Sequence, residues 1–398
     1  KHPSMVLLER KCKVALSVHD FVDIKYSRFE EPVEKIISMA KRHNNPKRDF
    51  LFVNHLLGKH VEVSGKEVSE TQAMLYKEVV DTFAQKGWLD KKVLIVGFAE
   101  TATGLAQGLM YQASVLDSEK KLNVVGYTQT TREELPDNNF TNIAFQEEHS
   151  HATDQKLYFD PTLDYDVVLF VEDEITTGKT IINFIEQFEQ HQPGKEYAVA
   201  SILNWQNDKD SRTFEEKAIV TSCLVRGKMK KDLKKFSAMI GRTFKPFDEA
   251  HYHVSLPKEN NPRLPMTIEQ FVKFTTLNLA KVDTLRKQGQ KTLVIGTEEN
   301  MFIPTLIAEA IGADVKATTR SPIEPIQQED YPIQSHVMLN SAYDSERVTY
   351  LYNMDLGKYD NFIVFMEKAC PFFKGKRGLF LQGYGIGTII NKREFSRR

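Results

Sequence analysis

Apolar runs with little internal alternation recur along this chain between segments whose apolar positions return at helical spacing. Lys92–Val96, Leu122–Tyr127, Tyr165–Val171 and Tyr197–Leu203 have the length of strands and are rich in β-branched or aromatic residues. That is the pattern of strands buried on both faces of a parallel sheet. Between them Thr71–Trp88, Leu105–Ser114 and Ile181–Gln190 read as helices. The alternation predicts an α/β fold, a mainly parallel sheet flanked by helices. Upstream, Val33, Ile36, Ile37 and Ala40 predict an amphipathic helix over Pro32–Arg42, part of an N-terminal cap. The polar stretch Glu133–Gln155 predicts a long loop, a length that usually marks function or disorder.

After residue 265 the same order of elements returns. Thr292–Glu299 matches Val93–Glu100, which sets Glu299 on Glu100, and Ala317–Arg320 echoes Gln129–Arg132. Leu351-Tyr352 and Tyr359-Asp360 repeat Leu157-Tyr158 and Tyr165-Asp166 at identical spacing, and Asn361–Met366 is again an apolar strand. The chain therefore divides into 1–230, a Lys/Arg- and Pro-rich linker region 231–265, and a related unit 266–398. The glycine-rich Gly383–Gly387 is assigned to a turn or interface.

The richest stretch for chemistry is Val168–Thr180. A strand should end near Val171, followed by Glu172 and Asp173 at its C-terminal edge, where ligands of open α/β sheets bind. Thr176-Thr177-Gly178-Lys179-Thr180 then supplies hydroxyls, a permissive glycine and backbone N–H groups ahead of a helix, a phosphate cradle. Acids beside such a cradle would repel the anion unless the ligand offers hydroxyls or a hydrated cation to them, so a sugar phosphate fits. A plain strand–turn–helix with surface acids is the alternative. Upstream, the turn Gly97-Phe98-Ala99-Glu100-Thr101-Ala102-Thr103-Gly104 is a second small-residue loop leading into a helix.

This arrangement resembles the 5-phosphoribosyl-diphosphate (PRPP) motif of type I phosphoribosyltransferases of the orotate-phosphoribosyltransferase-like kind: a hydrophobic strand, two acids, two mixed positions and Thr-Gly-x-Thr. The resemblance implies that Glu172 and Asp173 hold the ribose and, with it, Mg²⁺. It implies that Thr176–Thr180 hold the 5′-phosphate, and that Gly97–Gly104 with Arg132 hold the pyrophosphate. Glu174 departs from the family pattern, which is usually apolar there. His149, in a loop that in relatives closes over the site, is a candidate proton donor, with His151 beside it. Thr318-Thr319-Arg320-Ser321-Pro322 resembles the signature of the TRSP domain. That domain follows a phosphoribosyltransferase domain in bacterial proteins of tellurite-resistance and stress-response gene clusters. The second copy reads Glu367-Lys368-Ala369-Cys370-Pro371 where the first has its acids and cradle, so PRPP should not bind there in the standard way. It is either a degenerate partner or a site retuned through Glu298, Glu299, Thr318, Thr319, Arg320 and Ser321.

The 398 residues, 41% hydrophobic, can build two cores, and 53 Lys+Arg against 54 Asp+Glu leave no global basic field for nucleic acid or membrane. Cys12, Cys223 and Cys370 lie far apart, as reduced cytoplasmic thiols do. No apolar run has the length of a membrane span, and after Lys1-His2-Pro3-Ser4, Met5 reads as the natural start. The resemblance implies transfer of phosphoribose from PRPP to an unidentified base-like acceptor, in a homodimer. A PRPP- or nucleotide-sensing protein and the reverse or hydrolytic reaction on a nucleotide are the rival readings. For the acceptor, Phe50–His60, Trp205 and the second domain are unranked candidates.

Overall fold

The computed structural model describes residues 16–43, 48–145, 155–231, 253–280, 282–285, 290–355, 357–367, 379–380 and 386–391, the last two segments by backbone alone. The first half contributes strands Val22–Ser27 (β1), Ile37–Lys41 (β2), Phe50–Asn54 (β3), Val63–Ser64 (β4), Val93–Gly97 (β5), Val124–Thr131 (β6), Thr141–Phe145 (β7), Gln155–Phe159 (β8), Val167–Ile175 (β9), Glu196–Asn204 (β10) and Ile219–Met229 (β11). The second half contributes Met266–Thr267 (β12), Thr292–Thr297 (β13), Asp314–Thr318 (β14), His336–Asn340 (β15), Val348–Tyr352 (β16), Asn361–Met366 (β17), Leu379–Phe380 (β18) and Ile386–Asn391 (β19).

The apolar runs become the sheet interiors. The first sheet runs β1-β11-β10-β9-β5-β6-β8-β7, parallel from β11 through β6 and antiparallel at both edges. The second runs β18-β19-β17-β13-β14-β4, with β17, β13 and β14 parallel. Its centre repeats the first in detail. Lys92 N donates to Asp166 Oδ2 at 2.9 Å and Lys291 N to Asp360 Oδ2 at 2.8 Å, while each aspartate's own N–H returns to the lysine carbonyl. The fold is thus α/β, with a mainly parallel central sheet flanked by helices.

The halves exchange short strands. β4, ahead of the helix Gly65–Lys86, caps β14 of the second sheet, and β12, ahead of the helix Ile268–Leu279, caps β6 of the first. The helices Thr103–Tyr111 and Phe302–Ile311 pack together, and one apolar core runs through both halves, with Leu75, Val79, Leu105 and Leu109 sharing it with Phe302, Leu306 and Ile307. On the far face of the first sheet, Phe98 and Phe170 are buried together with Phe184 and Phe188 of the helix Lys179–His191.

Two expectations need correction. Pro32–Arg42 holds one helical turn, Val33–Ile36, and then becomes β2, which pairs antiparallel with β3. Its other edge bonds the second half: Glu324 N donates to Lys41 O at 2.9 Å and His43 N to Pro322 O at 2.9 Å, so tertiary pairing overrides the local period. Glu133–Gln155 is not loop throughout, since β7 lies within it and Gln155 opens β8; residues 146–154, with His149 and His151, lie outside the described ones. Within the 231–265 stretch, Arg263 is 1% exposed, and residues 232–252 lie outside the described ones. No described helix is long and apolar enough to cross a membrane.

Candidate active site

β9 runs past Val171 to Ile175 because β10 is long enough to keep pairing with it, Glu172 opposite Ser201 and Glu174 opposite Leu203. Glu172 and Asp173 are therefore held on a strand rather than a loop, partly exposed, at the carboxyl end of the sheet. The chain then turns at Gly178, whose φ is +87°; a Cβ there would also lie 2.4 Å from the Phe214 ring. Gln206 Nε2 fixes the turn by donating to Thr177 O at 3.0 Å. Gly178 is the N-cap of Lys179–His191 and offers no side chain to the first turn, the backbone geometry in which helix N-termini take anions.

Across a cleft of about 270 Å³ stands the second loop. Gly97 closes it from below, where a Cβ would come within 2.7 Å of the Ala106 Cβ and 2.8 Å of the Tyr127 hydroxyl. Of the eight residues from Gly97 to Gly104, only Ala99, Glu100 and Thr101 line the cleft. Ala102, Thr103 and Gly104 are buried in the helix start; Thr103 Oγ1 donates to the carbonyls of Glu100 (3.0 Å) and Glu299 (2.8 Å). The Ala99–Glu100 peptide is cis. Glu172, Asp173, Thr176–Thr180 and Arg132 all line the same cleft, so the residues singled out in the first half converge.

Glu100 is 5% exposed and ionic. Burial alone would raise its carboxyl, but Lys59 Nζ at 3.3 Å, with Arg132 and Arg320 nearby, holds it below the usual carboxylate range. Its oxygens also accept from Thr319 Oγ1 (2.9 Å) and Arg320 N (3.3 Å), both in the second half. The mirror contact is present: Glu299 accepts from Thr131 Oγ1 and Arg132 N, each at 2.7 Å, and pairs with Arg263 Nε at 2.6 Å. Each copy's glutamate thus grips the other copy's Thr-Arg.

The six second-half candidates do not gather in a cavity of their own. Glu298, Glu299, Thr318 and Thr319 are buried, and Arg320 and Ser321, with Pro322, line the cleft of the first half. Burial pushes the Glu298 carboxyl up to about 7; Glu133 and Glu100 add to that shift, and Arg347 and Arg320 oppose it.

A further part of the cleft wall includes residues of the acceptor candidate Phe50–His60. Arg42, Arg48, Leu51, Phe52 and His60 line it from the β2–β3 hairpin and its continuation. Arg48 pairs with Glu174 at 2.8 Å and lies over the Phe50 and Phe52 rings, so the family-breaking Glu174 is neutralised rather than left as extra charge beside a metal. His60 is buried next to Lys59, and burial followed by that charge lowers its pKa to about 3, which keeps the imidazole neutral. Trp205 does not reach the cleft; it is 1% exposed, with its ring 5.2 Å from that of Phe52, which covers it. The signal for the cleft wall was weak, a basic pair before an apolar run, whereas the repeat that set Arg320 on Arg132 carried the signal for the second half.

Fold and cleft together define an α/β protein with an anion cradle, a pair of acids and a second backbone loop around one ligand-sized space. Residues 36–228 match the family model described as phosphoribosyl transferase, and residues 262–372 match the TRSP domain that lies C-terminal to it. The chain thus has a phosphoribosyl transferase region followed by a TRSP region. No curated protein matches it. Among solved structures, it is similar to the adenine phosphoribosyltransferase of Giardia lamblia complexed with 9-deazaadenine (14% identity, 48% of this chain and 94% of that one, TM-score 0.32). Others are the Trypanosoma brucei enzyme in complex with AMP, pyrophosphate and ribose-5-phosphate (15%, 48% and 76%, TM-score 0.33) and the Saccharomyces cerevisiae enzyme with an iminoaltritol bisphosphate and adenine (14%, 48% and 94%, TM-score 0.29).

Proposed function

We propose that the cleft binds PRPP and transfers its phosphoribosyl group to a nitrogenous acceptor, releasing pyrophosphate. The observation that carries this reading is the convergence of Glu172, Asp173, Thr176–Thr180 and the Ala99–Thr101 loop with Arg132 around one space. The 5′-phosphate sits on Thr176–Thr180, the ribose hydroxyls on Glu172 and Asp173, and the diphosphate between Ala99–Thr101 and Arg132.

Mg²⁺ fits this donor set. Among the described residues no three His, Cys, Asp or Glu groups form a cage, but Mg²⁺ characteristically uses one or two carboxylates and completes its shell with waters and phosphate oxygens. Glu172 and Asp173 would hold it, and when bound it would offset charge on the diphosphate. As the C1–oxygen bond breaks, its electron pair leaves with pyrophosphate and the ribose becomes cationic; the acceptor nitrogen's lone pair then forms the new bond to C1, and the acceptor's N–H proton passes to solvent. The two acids favour that charge, and Arg132 favours the departing anion. The acceptor lies against Leu51, Phe52 and His60, which offer an apolar face and a neutral imidazole. In-cleft positioning then supplies much of the remaining rate.

The test is PRPP binding with Mg²⁺ by calorimetry. Asp173→Asn should weaken it by orders of magnitude while the thermal unfolding midpoint holds. Near-normal affinity would remove the assignment.

A further inference from the structure

The TRSP half does more than cover the first half. Its segment Arg320–Glu324 runs along the cleft from the diphosphate loop to the β2–β3 hairpin. At one end Thr319 Oγ1 and Arg320 N bind the Glu100 carboxylate; at the other Pro322 O and Glu324 N bind the backbone of His43 and Lys41. Arg320 and Ser321 line the cleft between these anchors. Arg320 Nε is 3.7 Å from Glu298, an ion pair too long for a hydrogen bond, and its Nη1 is buried without a partner. Burial, then the charges of Arg347 and Arg132, lower the Arg320 pKa, with Glu298 and Glu100 opposing. Arg132 and Arg320 both line the cleft, and two such cations, one of them with an unsatisfied buried N–H group, are an arrangement that a polyanion relieves.

We infer that Arg320, supplied by the TRSP domain, binds the diphosphate of PRPP opposite Arg132, so that the TRSP domain serves as an in-chain second protomer completing the first half's site. This rests on the PRPP reading above. The reciprocal grip of Glu100 on Thr319-Arg320 and of Glu299 on Thr131-Arg132 is what brings the two arginines to one loop. It also gives the degenerate copy a role that needs no phosphate cradle of its own. Pyrophosphate should be held by both halves, and the 5′-phosphate by the first alone.

The experiment compares PRPP, inorganic pyrophosphate and ribose 5-phosphate, each with Mg²⁺, binding by calorimetry to the full-length chain and to Arg320→Gln, Arg320→Lys and Asp173→Asn. Loss of one charge-assisted contact predicts that Arg320→Gln weakens PRPP and pyrophosphate by about 10- to 100-fold and leaves ribose 5-phosphate within about twofold. Arg320→Lys, which keeps the charge, should recover part of that loss. Glu298 retains Arg347 and Ser341 in these variants, so the fold is expected to persist. Wild-type affinity of Arg320→Gln for PRPP, alongside a loss in Asp173→Asn, overturns the role of Arg320 and leaves the cleft reading standing. An equal loss for ribose 5-phosphate also overturns it, because a merely structural effect would not separate the two phosphate ends. Normal PRPP binding by Asp173→Asn sinks the cleft reading and this inference with it.

Discussion

Replacing Glu299 with alanine removes the acceptor for three donors at once: Thr131 Oγ1, Arg132 N and Arg263 Nε. Glu299 is 3% exposed and Arg263 1%, so water cannot take the carboxylate's place without opening the contact between the halves. Arg263 keeps Glu367 and the Tyr343 ring, which limits the damage, but the Arg132 N–H and the Thr131 hydroxyl lose their shared anchor. Breaking a buried ion pair by removing one partner costs about 3–5 kcal/mol. An exposed pair such as Lys66–Glu70, at 3.9 Å, contributes only about 0–1 kcal/mol and supplies the control. At an unfolding entropy of about 2.1 cal/mol/K per residue, the 398-residue chain shifts by roughly 1 °C per kcal/mol, so Glu299→Ala should lower the thermal midpoint by roughly 4–6 °C, against about 1 °C at most for Lys66→Ala. The same variant should weaken PRPP, since the backbone of Arg132 is no longer held at the diphosphate loop. Differential scanning calorimetry reads the first effect and a PRPP titration the second. A midpoint within 2 °C or so of wild type would refute the claim that this carboxylate fastens the halves together.

Other expectations follow from single contacts. Gly178→Ala must place a side chain at φ +87° and against Phe214, so it should lose about 1–2 kcal/mol from backbone strain alone, more from the clash, and most of its PRPP affinity; an unchanged urea midpoint would contradict this. Arg48→Ala leaves Glu174 ionised beside a polyanion and should weaken PRPP about tenfold, an effect that shrinks as salt rises; tighter binding would show that Arg48 is not needed to neutralise Glu174. Glu298 has a folded-state pKa of about 7, above its ordinary value, so its protonated form contributes stability that is complete at low pH and lost as pH rises through about 7. Denaturation of wild type relative to Glu298→Gln should therefore show a difference that falls between about pH 5 and pH 7 and levels off above; a flat or rising difference would contradict it.

That the first half's candidates meet at one cleft was legible because they are local. Glu172, Asp173 and the Thr176–Thr180 cradle lie within a few residues of one strand end, and a sheet carries such a stretch to its ligand edge almost regardless of the rest. The repeat was legible too, since Glu100 and Glu299, the two Thr-Thr-Arg segments and the Leu-Tyr and Tyr-Asp pairs recur in the same order, the last two at identical spacing. What could not be read was the non-local part. Pro32–Arg42 has an apolar period that suits a helix, and only pairing with Phe50–Asn54 and with residues 322–324 makes it a strand. Trp205 looked like a platform because it ends a strand, but Phe52, distant in sequence, covers it. Arg320 and Ser321 were marked as a second site; their placement in the first cleft depends on how the two copies face each other, which no single stretch encodes.

The central claim is transfer from PRPP, and pyrophosphate release tests it most directly. The purified full-length chain is incubated with PRPP and Mg²⁺ across a panel of purine, pyrimidine and pyridine bases, with Asp173→Asn in parallel. The account predicts base-dependent release of pyrophosphate by the wild-type chain, with a matching nucleotide product, and a loss of orders of magnitude in the variant. Tight PRPP binding with no release on any base would contradict it and leave a PRPP-sensing protein.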